Sequence, residues 1–278
     1  MKSLIKVFIV LVLAVIVFGG GGATAYLLFF RKPDIRPSDR NQPVVTPTPD
    51  QGVIMFEDAR QQLAKGNKAD AMQTLVSLFQ SFPKSSKSED AKRLLGDLNM
   101  QSFFSAEPDP DKVEYIVQRG DSIAKIANKM KSSPELIFKA NGLDGLTIHI
   151  GQKFIVPKGK FSLMISLKRQ DVTLLNNGAF FRWYKPQEFR LPPKITSGLL
   201  KVHEKIAWAI GTRVAFGGKN YLGSSRWIVL NQGGLTLYSE TNPQNPNIQK
   251  PSSGIMLSAP DMEEVFAVIA KDTPVTIQ

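Results

Sequence analysis

The sequence predicts a multidomain α+β protein. An N-terminal membrane helix, a helical hairpin segment and a small β-α-α-β module precede a mostly-β C-terminal domain. Three observations predict this order. Residues 7–30 carry no charged side chain. Apolar residues recur every three or four positions through residues 53–105. Beyond residue 160, short alternating segments are separated by glycine-containing turns.

Composition sets the outer bounds. A hydrophobic share of 42% over 278 residues is that of a folding chain. Cysteine is absent, which removes disulfides, thiolate zinc sites and cysteine nucleophiles together. No metal site and no cofactor is expected. The net charge of +11 favours anionic partners in general. The lysines and arginines are spread along the chain rather than gathered in a dense tract, so nucleic acid is not expected as a partner.

The first element is the segment over residues 1–31. At about 1.5 Å per residue, the charge-free run exceeds the roughly 30 Å hydrocarbon core of a bilayer. Ala23-Thr24-Ala25 imitates a signal-peptidase site, but the apolar run continues through Tyr26 to Phe30, which favours an uncleaved anchor over a cleaved signal. Lys2 and Lys6 on one side face Arg31, Lys32, Arg36 and Arg40 on the other, so charge alone does not orient the span. Residues 32–52 hold prolines and almost no large apolar side chains, the composition of a semi-stiff spacer.

Residues 53–106 read as helices. Phe56, Ala59 and Leu63 share one face, and Ala71, Leu75, Leu78 and Phe79 share the next. Gly66-Asn67 separates these runs, Phe82-Pro83 ends the second, and Ser88-Glu89-Asp90 opens a third. The pattern resembles one tetratricopeptide-type hairpin with its following helix. Arrays of that kind need about three units, so the segment is expected to pack on itself or on a neighbouring domain.

Residues 112–158 form the next unit. Tyr115 and Val117 alternate as a short strand, and Arg119-Gly120-Asp121 turns. Asp121 or Ser122 can cap a helix with Ile123, Ile126, Ala127 and Met130 inward. Ser133-Pro134-Glu135 starts a second helix, Asn141-Gly142 ends it, and residues 151–157 return as a strand. The series Y-x-V, R-G-D-S-I-x-x-I-A, N-G-L and I-x-I-G-Q-x-F-x-V-P resembles a LysM domain. The resemblance implies binding of N-acetylglucosamine-containing glycan, such as peptidoglycan, in a shallow groove. Its walls would be Gly120, Asp121, Ser122 and Ile123 facing Leu146, Thr147 and Ile148. Gly120 and Ile123 equally suit a turn and a core position.

Residues 160–278 change texture. Phe161 to Leu167 alternates, and Asp171 to Leu175 leads into Asn176-Asn177-Gly178, a strong hairpin signal. Further strands are predicted at residues 180–184, 199–202, 227–230, 235–238, 255–257 and 275–277, with one helix over 260–270. The segments MISLKRQDVTLLNNG, Lys194 to Val202, Tyr221 to Trp227 and Asp272 to Ile277 resemble, in order, a YkuD-type L,D-transpeptidase catalytic domain. That family's chemistry rests on two histidines, a cysteine and an arginine. The resemblance places Tyr238 at the first histidine, Ser252 at the second, Gly254 at the cysteine and Met256 at the arginine.

With those side chains absent, no catalytic residue is expected. Losing nucleophile and base together forfeits at least about 10⁶-fold in rate in such sites. The alternative is an active transpeptidase or peptidoglycan hydrolase rebuilt on Ser252 or Ser253, but the two histidines, His149 and His203, fall outside the family's active centre. The resemblances together imply a pseudoenzyme of the bacterial inner membrane, single-pass, with its bulk periplasmic. Its expected partners are peptidoglycan, the membrane itself, and a cell-wall enzyme or division protein held by the inactive domain.

Overall fold

The structure, a computed structural model, describes residues 49–105, 107, 109–193, 195–239 and 250–278. The membrane helix expected over 1–31 and nearly all of the spacer over 32–52 lie outside these residues. Among the described residues no helix is long and apolar enough to cross a membrane.

Three helices come first: α1 (Gln51–Ala64), α2 (Lys68–Ser81) and α3 (Ser88–Phe104). Asp50 caps α1 by accepting from Gly52 N, and it also accepts from the amide and hydroxyl of Ser86, each at 3.0 Å. One carboxylate thus fixes the start of α1 to the turn before α3. Ala59, Ala71, Leu75, Leu78, Ala91 and Leu95 form the shared core, as the three-to-four spacing predicts. The helices pack on the C-terminal domain as well as on themselves. Phe79 meets Phe180 with ring centroids 5.0 Å apart. Phe103 stands edge-on to Phe161 and Phe181 at 5.4 and 5.5 Å, and Asn99 donates to the Phe181 carbonyl at 2.8 Å.

The next unit is β1 (Lys112–Ile116), α4 (Ile123–Met130), α5 (Pro134–Ala140) and β2 (Lys153–Pro157), with β1 and β2 antiparallel. Val117 lies just past β1 yet is buried with Ile123, Ile126, Ala127, Ile137, Phe154 and Val156. Ser122 is the cap of α4, accepting from Lys125 N. Asp121, the other candidate, is used elsewhere.

The C-terminal domain contains β3 (Phe161–Ser166), β4 (Asp171–Asn176), β5 (Ala179–Tyr184), β6 (Glu188–Arg190), β7 (Gly198–Ala209), β8 (Thr212–Val214), β9 (Ser225–Leu230), β10 (Thr236–Ser239), β11 (Gly254–Leu257), α6 (Ala259–Val268) and β12 (Pro274–Ile277). The sheet order is β5-β4-β3-β12-β7-β9-β10-β11-β6, with β8 paired to β7. Pairing is antiparallel except at β3–β12 and β10–β11. Asn177 and Gly178 both have positive φ, 50° and 79°, the geometry the β4–β5 hairpin requires.

β7 is three times the predicted length. It pairs with β12 through Gly198–Lys201 and with β9 from Val202 onward, with an irregularity between Val202 and Glu204. This bulge hands the strand from one half of the sheet to the other. Residues of both halves join Met262, Val265 and Phe266 of α6 in one core, and Met100, Phe103 and Leu136 enter it from the two neighbouring units.

Candidate functional site

The first candidate is the loop pair of the β-α-α-β unit. Asp121 organises the loop after β1. Its carboxylate accepts from Gln118 N and from the Tyr115 hydroxyl, each at 2.8 Å. These bonds hold the Asp121 carboxyl below the usual aspartate range, the backbone N–H being the largest cause. Lys129 donates to the Tyr115 oxygen at 2.8 Å, and Lys125 donates to the Gly120 carbonyl at 2.9 Å.

Both predicted walls rest on one core. Ile123 is 2% exposed and its side chain belongs to that core, while Leu146 and Ile148 pack against the same cluster from the opposite loop. Gly120, Ser122 and Thr147 are exposed. Ile150, 71% exposed, stands close behind in the chain. The backbone and small polar groups at the surface suit the amides and hydroxyls of a sugar, and the half-buried leucine and isoleucine suit its apolar face.

The second candidate is the β10–β11 pair. Register sets Tyr238 opposite Met256, and Gly254 opposite Arg190 of β6. Tyr238 is 1% exposed and Met256 6%. The Tyr238 hydroxyl donates to Glu188 Oε2 at 3.2 Å. Arg190 and Lys250 donate to the same carboxylate at 2.7 and 3.4 Å. Partial desolvation opposes ionisation of Glu188, but the bonds from Lys250 and Tyr238 prevail and hold its carboxyl below the usual range.

Gly254 has no room for a side chain. A Cβ there would collide with the Thr236 carbonyl oxygen and lie 3.0 and 3.2 Å from two ring carbons of Tyr238. The tyrosine at the first histidine position thus covers the cysteine position. Ser252 is exposed, Ser253 is half-buried, and among the described residues neither hydroxyl makes a hydrogen bond. His149 and His203 are both exposed, and β7, which carries His203, is separated from β11 by β9 and β10. The pair therefore presents neither an activated nucleophile nor a positioned base.

Sequence reasoning missed Glu188, the acid on which Tyr238, Arg190 and Lys250 converge. It also missed the polar joint between the two candidate regions. The Tyr221 hydroxyl donates to Glu135 at 2.5 Å, and Lys205 pairs with the other oxygen of Glu135 at 3.5 Å. Burial pushes the Lys205 ammonium below the usual lysine range, opposed by Glu135. Arg226, with 4% of its side chain exposed, pairs with Glu263 at 2.8 Å and covers the Tyr221 ring at 4.2 Å. Ser133 donates to the Ala267 carbonyl at 2.6 Å. The Tyr221-to-Trp227 segment quoted for its family resemblance is thus part of the joint.

Comparison with known proteins gives the following. The LysM domain family matches residues 115–157. No curated protein matches the chain. Among solved structures the chain is similar to an L,D-transpeptidase from Mycobacterium smegmatis, at 12% identity over 47% of this chain and 64% of that one, with a TM-score of 0.30. It is similar to an L,D-transpeptidase from Mycobacterium tuberculosis H37Rv at 16% identity over 46% and 63%, TM-score 0.31. It is also similar to a fused Zn-dependent amidase/peptidase/peptidoglycan-binding domain-containing protein from Clostridium acetobutylicum at 16% identity over 43% and 52%, TM-score 0.30. The chain spans between half and two thirds of the length of these structures. The match over β1, α4, α5 and β2, on which the two exposed loops are built, identifies residues 115–157 as a LysM domain.

Proposed function

We propose that this is a membrane-anchored, non-catalytic envelope protein that binds peptidoglycan through its LysM domain. The LysM match carries the reading. Gly120, Ser122 and Thr147 meet N-acetylglucosamine-containing glycan, backed by Leu146 and Ile148. The apolar segment over residues 1–31 holds the chain in a bacterial inner membrane, with the remainder on the periplasmic side. The C-terminal domain is a pseudoenzyme of L,D-transpeptidase type that acts as a scaffold for peptide stems or for a cell-wall enzyme or division protein. What supports its inactivity is the packing at Gly254, where the family's thiol would need space that Tyr238 and Thr236 fill. The tetratricopeptide-like helices serve as a brace between the spacer and this domain, in keeping with their contacts to β5.

The test is retention of the full chain on purified sacculi. Retention at low salt that soluble N-acetylglucosamine oligomers compete away is the expected result. No retention would sink the glycan reading. A reporter fused after residue 50 must report the periplasmic side. Incubation with tetrapeptide muropeptides must give no product, and product lost on Ser252→Ala with Ser253→Ala would establish the rebuilt enzyme instead.

A further inference from the structure

Lys158-Gly159-Lys160 carries the chain from β2 of the LysM domain to β3. A cavity of about 490 Å³ opens beside this crossing, remote in sequence from the glycan-groove loops. Its wall includes Lys131, Lys158 and Lys160, with Asp111 as the one acidic lining residue. None of these four forms a salt bridge with a described residue. Three ammonium groups therefore share one concave space with a single carboxylate.

The sequence holds these charges against their own repulsion. Lys158 donates to the Met130 carbonyl at the end of α4, which fixes its position. Burial and then the neighbouring Lys131 push its ammonium below the usual lysine range. Lys131 ends α4 in the left-handed conformation, φ 51° and ψ 49°. Glycine is the usual residue there, and a side chain costs about 1–2 kcal/mol in that region. Next to it, the Ser132 hydroxyl lines the same cavity and is buried without a hydrogen-bond partner. An anion at this point would relieve the like-charge repulsion and give the orphaned hydroxyl an acceptor.

We propose that this cavity is an oxyanion site, in which Lys131, Lys158, Lys160 and the Ser132 hydroxyl hold a phosphate or carboxylate group. The site is separate from the glycan groove and does not depend on glycan binding. The two sources share the chemistry of a compact anion with several acceptor oxygens. Inorganic phosphate and acetate separate them.

The experiment is thermal unfolding and calorimetric titration of the full chain in phosphate, acetate and chloride at matched ionic strength. One variant combines Lys131→Gly with Lys160→Gln. Glycine relieves the left-handed backbone, so this variant folds at least as stably without ligand. Phosphate or acetate is expected to raise the midpoint of the unmodified chain by a few degrees above chloride. The variant is expected to bind that anion at least about tenfold more weakly, since each charge-assisted bond contributes about 1.5–3 kcal/mol. Whichever of the two anions stabilises more identifies the source. Equal midpoints in all three salts, or an equal anion effect in the variant, would overturn the site.

Discussion

The LysM loops and the β10–β11 pair are two places where a glycan-processing protein could meet its substrate, and the chain treats them in opposite ways. At the loops, small groups at Gly120, Ser122 and Thr147 stay at the surface while Ile123 anchors them from the core. At the strands, Tyr238, Gly254 and Met256 have themselves become core. Binding needs only an exposed surface of the right shape, which loops on a firm support supply cheaply. Catalysis needs space for a reacting atom beside a nucleophile and a base. Once Tyr238 occupies that space, the strand pair keeps a role in packing alone. Substitutions at the strands should therefore change stability, and substitutions at the loops should change binding.

The largest effect belongs to Tyr238. It is a fully buried aromatic, so Tyr238→Ala should destabilise the protein by about 3–5 kcal/mol, read from denaturant unfolding. Tyr238→Phe keeps the ring and loses only the bond to Glu188, at a cost of about 1 kcal/mol. If Tyr238→Ala proved nearly neutral, the strand pair would not be the packed element inferred here.

Gly254→Ala comes next, at about 1–3 kcal/mol, because the new methyl group must displace the Thr236 carbonyl or the Tyr238 ring. Gly254→Cys should cost at least as much and give no transpeptidase product from tetrapeptide muropeptides. A stable and active Gly254→Cys protein would show that the pocket persists behind the tyrosine.

The pH response sharpens the other side of the comparison. The folded loop lowers the Asp121 pKa, so the carboxylate favours the folded loop at every pH above its ordinary value of 3.8. That contribution is lost only as pH falls below 3.8, through the folded value. Sacculus retention should therefore be unaffected by Asp121 between pH 7 and about 4, on that ordinary range. Asp121→Asn should weaken retention several-fold at pH 7. A loss of retention centred well above pH 4 would assign the loop's order to another group.

Much of this contrast is legible in the sequence, for physical reasons that differ by region. Helices α1 to α3 follow from apolar spacing, and the hairpin at Asn177-Gly178 from the backbone those two residues permit. The strands β6 and β8, three residues each, are too short to show a period. Glu188-Phe189-Arg190 is moreover enclosed by Pro186 and Pro192-Pro193, which read as loop. Predicted β7 stops at Val202 because His203, Glu204 and Lys205 interrupt the apolar pattern; the bulge there re-aims the strand and Lys205 is buried against Glu135. Aligned motifs locate Tyr238 and Gly254, but only the fold shows that one covers the other. Glu188 and the Glu135–Tyr221 joint are tertiary pairings with no local signature.

The smallest stability effect is expected at Thr147, and it is the sharpest probe of the comparison. Thr147 is exposed, makes no side-chain hydrogen bond with a described residue, and lies between the half-buried Leu146 and Ile148. Thr147→Ala removes a hydroxyl and a methyl group from the surface without opening a cavity, so unfolding free energy should stay within about 0.5 kcal/mol. If the loop is the glycan wall, the same change deletes a contact to the sugar, and a net hydrogen bond of about 1 kcal/mol corresponds to roughly fivefold weaker retention on sacculi. Normal stability with weakened retention is the signature of a binding surface. Normal retention would move the glycan contact away from this loop, and a loss of stability would mean that the LysM surface, like β10–β11, has been drawn into the packing.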